Sequence, residues 1–162
     1  MSNFLLVEDV SVLAKSDTLD ENLANIEGNK ILVNSIKFHA VGDYITYSVK
    51  IKNNKNENYV LKSISDDNKN DYISYAYDNY KGIKLKANES FDFIFTETYS
   101  TEVKDIQKRQ QNFSVNFYLV LEKENKDSLN SPDYEEGDAF EEKVIFSKNP
   151  IQRVIILDFI LH

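Results

Sequence analysis

The sequence contains no cysteine and no tryptophan, and its 162 residues include only two histidines, two prolines and four glycines. Without cysteine the chain cannot form a disulfide, a zinc–thiolate site, an iron–sulfur cluster or a cysteine nucleophile. The two histidines, His39 and His162, belong to no HExxH motif and to no Ser-His-Asp order. The composition therefore argues against zinc-protease and triad chemistry.

Long apolar runs and an excess of basic charge are also missing. No stretch reaches the ~18–20 apolar residues that a membrane span needs, so we predict no membrane span in this chain. Residues 1–8 lack the basic region and the long apolar run of a signal peptide. The formal net charge of −8 disfavours nucleic acid as a partner, because phosphate binding requires a clustered basic face.

What the sequence does contain is a recurrent alternation of apolar and polar residues. The hydrophobic fraction is 41%, with ten Tyr and ten Phe, and the length fits one domain. Residues 44–53 alternate most clearly, and residues 91–96 and 113–122 repeat the pattern with Phe on one side. Further strands are predicted at residues 5–14, 30–38, 59–65, 72–77 and 143–147. This spacing favours an all-β sandwich or barrel of about 7–10 strands.

Polar segments separate the predicted strands. Residues 53–58 are predicted to form a hairpin connection, because Asn tolerates the left-handed backbone region. Residues 65–71 form a second polar loop, and residues 122–142 are acidic with Pro132 in their middle. We therefore treat 1–162 as one domain with a core at about 29–123, an acidic loop at 124–142 and a C-terminal strand at 143–162.

Three segments carry a family resemblance. Residues 42–53 read GDYITYSVKIKN, residues 58–64 read NYVLKSI and residues 85–91 read LKANESF, with Asn88 where the family has glycine. Over about 29–123 the chain resembles immunoglobulin-like domains of Firmicutes cell-surface proteins and, more distantly, camelysin-like biofilm-fibre subunits. The resemblance implies an antiparallel immunoglobulin-like sandwich with Greek-key connections. It also implies an exported Gram-positive surface or matrix protein, with a cytoplasmic location left open.

The string Asp66-x-Asn68-x-Asn70 is the strongest candidate for a metal site. It matches the first three oxygen-ligand positions of a calcium loop. The sixth position is Asp71 instead of Gly, and the twelfth is Tyr77 instead of Glu. Because the turn glycine and the bidentate carboxylate are both lacking, a solvated polar loop is the default interpretation and Ca²⁺ is the alternative.

Lys37 and Asn116 are candidates for an isopeptide crosslink, which surface immunoglobulin-like domains can carry between an early Lys and a late Asn. Both are placed by chain position only. Asn116 alternates out of phase with Phe117, which counts against the hypothesis if the phenylalanine face is the core.

Tyrosines cluster in one short stretch. Exposed Tyr is suited to recognition, because the ring offers a large amphipathic area at low entropic cost. The alternative is a sheet face that is partly covered by the loop at 78–82. The candidate binding residues are Tyr72, Tyr75, Tyr77 and Tyr80.

Adjacent carboxylates occur at 66–67, 135–136 and 141–142. Catalytic acid pairs must be positioned and partly desolvated, whereas these lie in segments predicted to be polar loops. We therefore predict a protein that is not an enzyme and has no required cofactor. A hydrolase whose acids converge only in three dimensions remains a separate hypothesis.

The apolar residues 154–161 near the C-terminus predict a final strand. An exposed apolar strand invites aggregation, so we expect it to pair within the chain or with a neighbour. Two functions stay open: a structural or adhesive surface module, and a soluble domain that binds a protein or glycan through the Tyr-rich strand and loops. Self-association through the C-terminal strand is compatible with either function.

Overall fold

The computed structural model describes residues 4–17, 19, 24–34, 38–102, 104, 113–124 and 139–149. These residues form β-strands and turns without a helix, which confirms the predicted all-β class. None of the described residues belongs to a helix that could cross a membrane. The strands are β1 (Leu5–Lys15), β2 (Ala24–Glu27), β3 (Lys30–Asn34), β4 (Tyr44–Asn53), β5 (Tyr59–Asp66), β6 (Ile73–Tyr77), β7 (Lys84–Leu85), β8 (Ser90–Tyr99), β9 (Phe113–Lys123) and β10 (Ala139–Asn149).

The strands form two sheets. Sheet 1 has the order β1-β4-β8-β6, and sheet 2 has the order β2-β3-β10-β9-β5-β7. Neighbouring described strands run antiparallel, except that β3 and β10 are parallel, with Ile145 opposite Lys30. Aromatic rings join the sheets: the centroids of Phe95 in sheet 1 and Phe117 in sheet 2 are 4.7 Å apart. The chain is therefore a two-layer, sandwich-like β protein.

The alternation in β4 gives the strand one buried face and one solvent-facing side. Ile45, Tyr47, Val49 and Ile51 are fully buried, whereas the residues between them are at least partly exposed. Successive side chains of a strand point to opposite faces, so one β-branched or aromatic residue in every two supplies the core. The strand predicted at 44–53 is confirmed at both of its ends.

The ends of the chain contribute more to the core than predicted. Leu5 and Val7 of β1 and Val144 and Phe146 of β10 are all buried, so the core extends beyond 29–123 in both directions. β10 lies in the middle of sheet 2 rather than at its margin.

The predicted acidic loop at 122–142 is also too long. Strand β9 continues to Lys123, and β10 begins at Ala139. The ring of Phe140 lies 4.2 Å from that of Phe4 and 5.5 Å from that of Tyr59. These contacts extend β10 into an acidic segment, which charge alone had marked as a loop.

Residues 53–58 do not form a hairpin, because β4 lies in sheet 1 and β5 in sheet 2. The buried Asn53 holds this crossing in place. Its Nδ2 donates to the backbone oxygen of Glu57 at 2.8 Å and to those of Leu85 and Lys86 at 3.2 Å each. A buried amide must satisfy its donors, and here it ties three chain segments together.

Other predicted elements fall partly outside the described residues. The strand predicted at 30–38 is observed as Lys30–Asn34, and 35–37 lie outside the described ranges. The apolar segment 154–161 also lies outside them, so its pairing stays a prediction. The turn at Asn88 adopts a φ of 62°, the left-handed conformation for which Asn is the usual substitute for Gly.

Candidate functional site

β6 directs its two tyrosines toward sheet 2. Ser74 and Ala76 are exposed, whereas Tyr75 and Tyr77 are partly buried against the core. The ring of Phe117 lies edge-on to both tyrosines, with centroids 5.7 Å away in each case. Tyr75 and Tyr77 therefore do not form the exposed face that recognition would use, because their rings pack against the aromatic core of sheet 2; a binding role for them stays a prediction.

The hydroxyl of Tyr75 reaches an acid inside the core. It donates a 2.6 Å hydrogen bond to Oε2 of Glu97, a residue of β8 that lies directly opposite and is fully buried. Burial raises the pKa of Tyr75 well above its usual value, and the charge and hydrogen bond of Glu97 raise it further. The phenol is thus held as a neutral donor to the Glu97 carboxyl group.

Glu97 was missed in the sequence, although a signal was present. The apolar alternation of β8 places Phe93 and Phe95 inward. Glu97 lies two residues further along and therefore faces the same way. Extending that alternation to the end of the strand would have identified a charged group on the core side.

Tyr77 makes a similar contact at the C-terminal end of β6. Its hydroxyl donates a 2.6 Å hydrogen bond to Oδ2 of Asp66, the last residue of β5. Burial raises the pKa of Tyr77, and the hydrogen bond to Asp66 adds to the effect. The bond links sheet 1 to sheet 2 across the end of the sandwich.

Tyr72 and Tyr80 flank β6 and are partly buried against the core. The backbone oxygen of Tyr72 accepts the N–H of Ser100 at 2.8 Å. Tyr80 has a φ of 54°, and its hydroxyl accepts the N–H of Ile94 at 2.8 Å. These tyrosines hold backbone in place, and no four-ring exposed surface exists among them.

The calcium-like string is organised as three successive side-chain-to-backbone turns. Oδ1 of Asp66 accepts the N–H of Asn68 at 2.9 Å, and Oδ1 of Asn68 accepts the N–H of Asn70 at 3.1 Å. Oδ1 of Asn70 in turn accepts the N–H of Tyr72 at 2.8 Å. Each of the three oxygens accepts from a different backbone N–H, and together these bonds stabilise the loop between β5 and β6. A Ca²⁺ site here stays a prediction.

Asn116 lies on the outer side of β9 and binds an acid there. Its Nδ2 donates to Oδ2 of Asp67 at 2.8 Å, and its backbone N–H donates to Oδ1 at 2.7 Å. That N–H is the main reason why the pKa of Asp67 is lowered, with help from the Asn116 side chain and from Tyr118. Lys37 lies outside the described residues, so the crosslink stays a prediction.

Residues 135–136 lie outside the described residues, and the adjacent carboxylates at 66–67 do not share a partner. Asp66 binds Tyr77 on the inner side, whereas Asp67 binds Asn116 on the outer side. Glu141 and Glu142 lie within β10 rather than in a loop, and burial raises the pKa of Glu142.

Within the described part of the chain, Glu97 is the one fully buried acid. The two buried acids that a hydrolase would need are therefore not found there. No group of three or more His, Cys, Asp or Glu side chains that could hold a metal ion occurs among the same residues.

The outer sides of the two sheets differ in charge. On sheet 2, the outward residues include Lys62, Glu122, Glu141 and Lys143. On sheet 1, the half nearest Tyr44 and Thr98 carries no charged side chain, and we call it the uncharged face. It consists of Ser11, Ala14, Tyr44, Thr46, Ser48, Ser74, Ala76, Ile94, Thr96 and Thr98.

Two features mark the uncharged face. Tyr44 is 37% exposed and Ile94 is 39% exposed, and both values are high for large apolar residues. Thr46 and Thr96 lie opposite each other, with their Oγ1 atoms 2.8 Å apart. A surface depleted of charge and carrying exposed aromatic and aliphatic groups has the composition of a recognition surface.

No protein-family model matches the chain. No curated protein matches it either. Among solved structures, the chain is similar to the crystal structure of a FixG-related protein from Vibrio parahaemolyticus, with 13% identity and a TM-score of 0.29. The match covers 66% of this chain and 80% of that one. A likeness this weak carries no argument about function.

Proposed function

We propose that the chain is an immunoglobulin-like module with a structural or adhesive role and no catalytic one. The observation that carries the proposal is the strand order. β1-β4-β8-β6 in sheet 1 follows the A-B-E-D order of an immunoglobulin constant-type sandwich, and β10-β9-β5 in sheet 2 follows G-F-C. The connections β4–β5, β5–β6 and β8–β9 each cross between the sheets, as Greek-key connections do.

The use of the polar side chains supports a non-catalytic role. The hydroxyls of Tyr75 and Tyr77 are bonded to Glu97 and Asp66, and Asp67 is bonded to Asn116. A nucleophile or a general base must present its reactive atom to a substrate. In this chain the tyrosine hydroxyls and the acids instead bond to one another between strands, which supports a structural role.

An extracellular or cell-surface location is part of the proposal and is based on the family resemblance alone. Antibody labelling of intact cells of the native organism, compared with lysed cells, tests it. We expect labelling without lysis. Recovery of the protein from the cytosol alone would refute the surface role while leaving the fold untouched.

The second candidate function is a soluble domain that binds a protein or glycan, and the uncharged face favours it. Tyr44, rather than the tyrosines of β6, supplies the exposed ring. A glycan and protein array should show binding by the wild type that is lost in Tyr44→Ser. Tyr118→Ser on the outer side of sheet 2 is the matched control and should bind normally. Equal binding by both variants, or no binder at all, would remove this candidate.

A further inference from the structure

Among the described strands, sheet 1 has two edge strands, and their edges differ in how far side chains block them. β1 lies on one side and β6 on the other. An edge strand presents unpaired N–H and C=O groups, which can pair with another chain unless they are blocked.

The β1 edge is blocked by a side chain and by irregular backbone. Oδ1 of Asn29 accepts the N–H of Val7 at 3.3 Å, and its Nδ2 donates to the backbone oxygen of Leu5 at 3.0 Å. One amide thus replaces the donor and the acceptor of a neighbouring strand. Further along, β1 shifts register after Val7 and again after Val12, and such bulges also prevent regular pairing.

Among the described residues, the contacts that block the β6 side lie at its two ends. Nδ2 of Asn68 donates to the backbone oxygen of Ile73 at 2.8 Å, at the beginning of β6. Past the end of β6, the hydroxyl of Tyr80 accepts the N–H of Ile94, which would otherwise face solvent. Between these two side chains lies the segment Ser74 to Tyr77.

The backbone of Tyr75 faces the open side. Because Ile94 directs its N–H toward the β6 side, ladder alternation on β8 gives Thr96 and Thr98 the bonds to β6. The backbone N–H and C=O groups of their partners Ala76 and Ser74 therefore point toward β8. Those of Tyr75 point the opposite way, away from β8 and toward the open edge of the sheet.

The open segment is suited to pairing. Ile73–Tyr77 has no charge, no proline and a high strand propensity. Ser74 and Ala76 are small and exposed, so they do not obstruct an added strand. The hydroxyl bonds of Tyr75 and Tyr77 fix the segment against the core, which lowers the entropic cost of pairing.

We propose that β6 pairs antiparallel with β6 of a second copy of this chain, with Tyr75 opposite Tyr75 at the two-fold axis. This arrangement places Ser74 opposite Ala76 of the second copy, so small uncharged residues meet. The net charge of −8 repels two copies as a whole, so association requires an uncharged contact such as this one. The dimer joins both uncharged faces into one, and its formation does not depend on the role proposed above.

The flanking acids determine how the association responds to salt. Asp71 precedes β6 and Asp78 follows it, and both are exposed. In the antiparallel pair, Asp71 of one copy approaches Asp78 of the other. Raising the ionic strength screens this repulsion, so the dimer strengthens as salt is added.

Sedimentation velocity of the full chain from about 10 μM to about 1 mM tests the proposal, a range chosen for a small and therefore weak interface. We expect concentration-dependent dimerisation that Ala76→Lys weakens at least tenfold. Ala14→Lys is the matched control, because Ala14 is exposed in the same cross-strand row at the opposite edge. It should dimerise like the wild type.

Hydrogen exchange provides an independent readout. The Tyr75 amide should exchange more slowly as the wild-type concentration rises, whereas the same amide in Ala76→Lys should not change. A wild type that stays monomeric at about 1 mM, equal dimerisation by both lysine variants, or exchange at Tyr75 that is independent of concentration would each overturn the proposal. Circular dichroism checks that both variants are folded.

Discussion

Tyr75 donates a 2.6 Å hydrogen bond to Glu97, and the two residues lie directly opposite each other on β6 and β8. A carboxyl group in an aromatic core is costly unless hydrogen bonds compensate for the lost water. The contact therefore explains why β6 carries a tyrosine at this position rather than a phenylalanine.

Removing the Tyr75 hydroxyl should destabilise the fold. Tyr75→Phe keeps the ring and leaves Glu97 with one hydrogen bond fewer, so we expect the free energy of unfolding to fall by about 1–3 kcal/mol. Urea denaturation measures the change. Tyr44→Phe, at an exposed ring of the same sheet, should alter it by less than about 0.5 kcal/mol. Equal effects of the two variants would show that the Tyr75 contact does not contribute to stability.

Alkaline pH should destabilise the protein through Tyr75 and Tyr77. Burial raises the pKa of both phenols in the folded state, whereas the pKa of a tyrosine in an unfolded chain is about 10. Below that pH the stabilisation is fully present. As the pH rises above it, the unfolded chain releases protons that the folded chain retains, so stability falls.

Urea midpoints measured from about pH 8 to about pH 11.5 test the pH prediction, because they bracket the tyrosine pKa. The double variant Tyr75→Phe/Tyr77→Phe is the control, and its midpoint should fall less steeply than that of the wild type. Parallel curves would mean that neither phenol has a raised pKa in the folded state.

Phe117 should be among the most sensitive core positions. Its ring contacts those of Tyr75, Tyr77, Phe93 and Phe95 at centroid distances of 5.7, 5.7, 5.1 and 4.7 Å. Phe117→Ala leaves a cavity between the sheets and should cost about 3–5 kcal/mol. Ile94→Ala, on the exposed side of β8, should cost less than about 1 kcal/mol. A loss at Phe117 no larger than that at Ile94 would contradict the packing.

Asn29 should protect the β1 edge. Asn29→Ala removes two hydrogen bonds to β1 and should lower the free energy of unfolding by about 1–2 kcal/mol. The Val7 amide should also exchange faster with solvent. Asn25→Ala, at an exposed residue of β2, is the control and should change neither. Unchanged exchange at Val7 would refute the strand-like role of Asn29.

The sequence pattern predicted the strands that follow strict alternation. Residues 44–53 became β4 without change, because every second side chain is large and apolar. β10 was predicted to begin only at Lys143 because Glu141 and Glu142 were assigned to the acidic loop, whereas both lie within the strand and Glu141 is exposed, where charge costs little. Alternation identifies the face of a strand, and charge by itself does not identify a loop.

The tyrosines show what a local pattern leaves open. Alternation correctly placed Tyr75 and Tyr77 on one face, but it gave no sign of which face packs on sheet 2. That choice depends on Phe117 and Phe146, about 40 and 70 residues further along the chain, and on Glu97 and Asp66 as hydroxyl partners. Contacts at such separations follow from topology, which periodicity does not encode.

The position of β10 is the direct test of the central claim, since the immunoglobulin-like order requires it beside β9, and the observed sheet also places it beside β3. Cross-strand nuclear Overhauser effects in a labelled sample measure it. We predict contacts from Phe146 to Val115 in an antiparallel pattern and to Ile31 in a parallel pattern, in agreement with the registers. Contacts from Phe146 to one of these strands alone, or an antiparallel pattern to Ile31, would contradict the account.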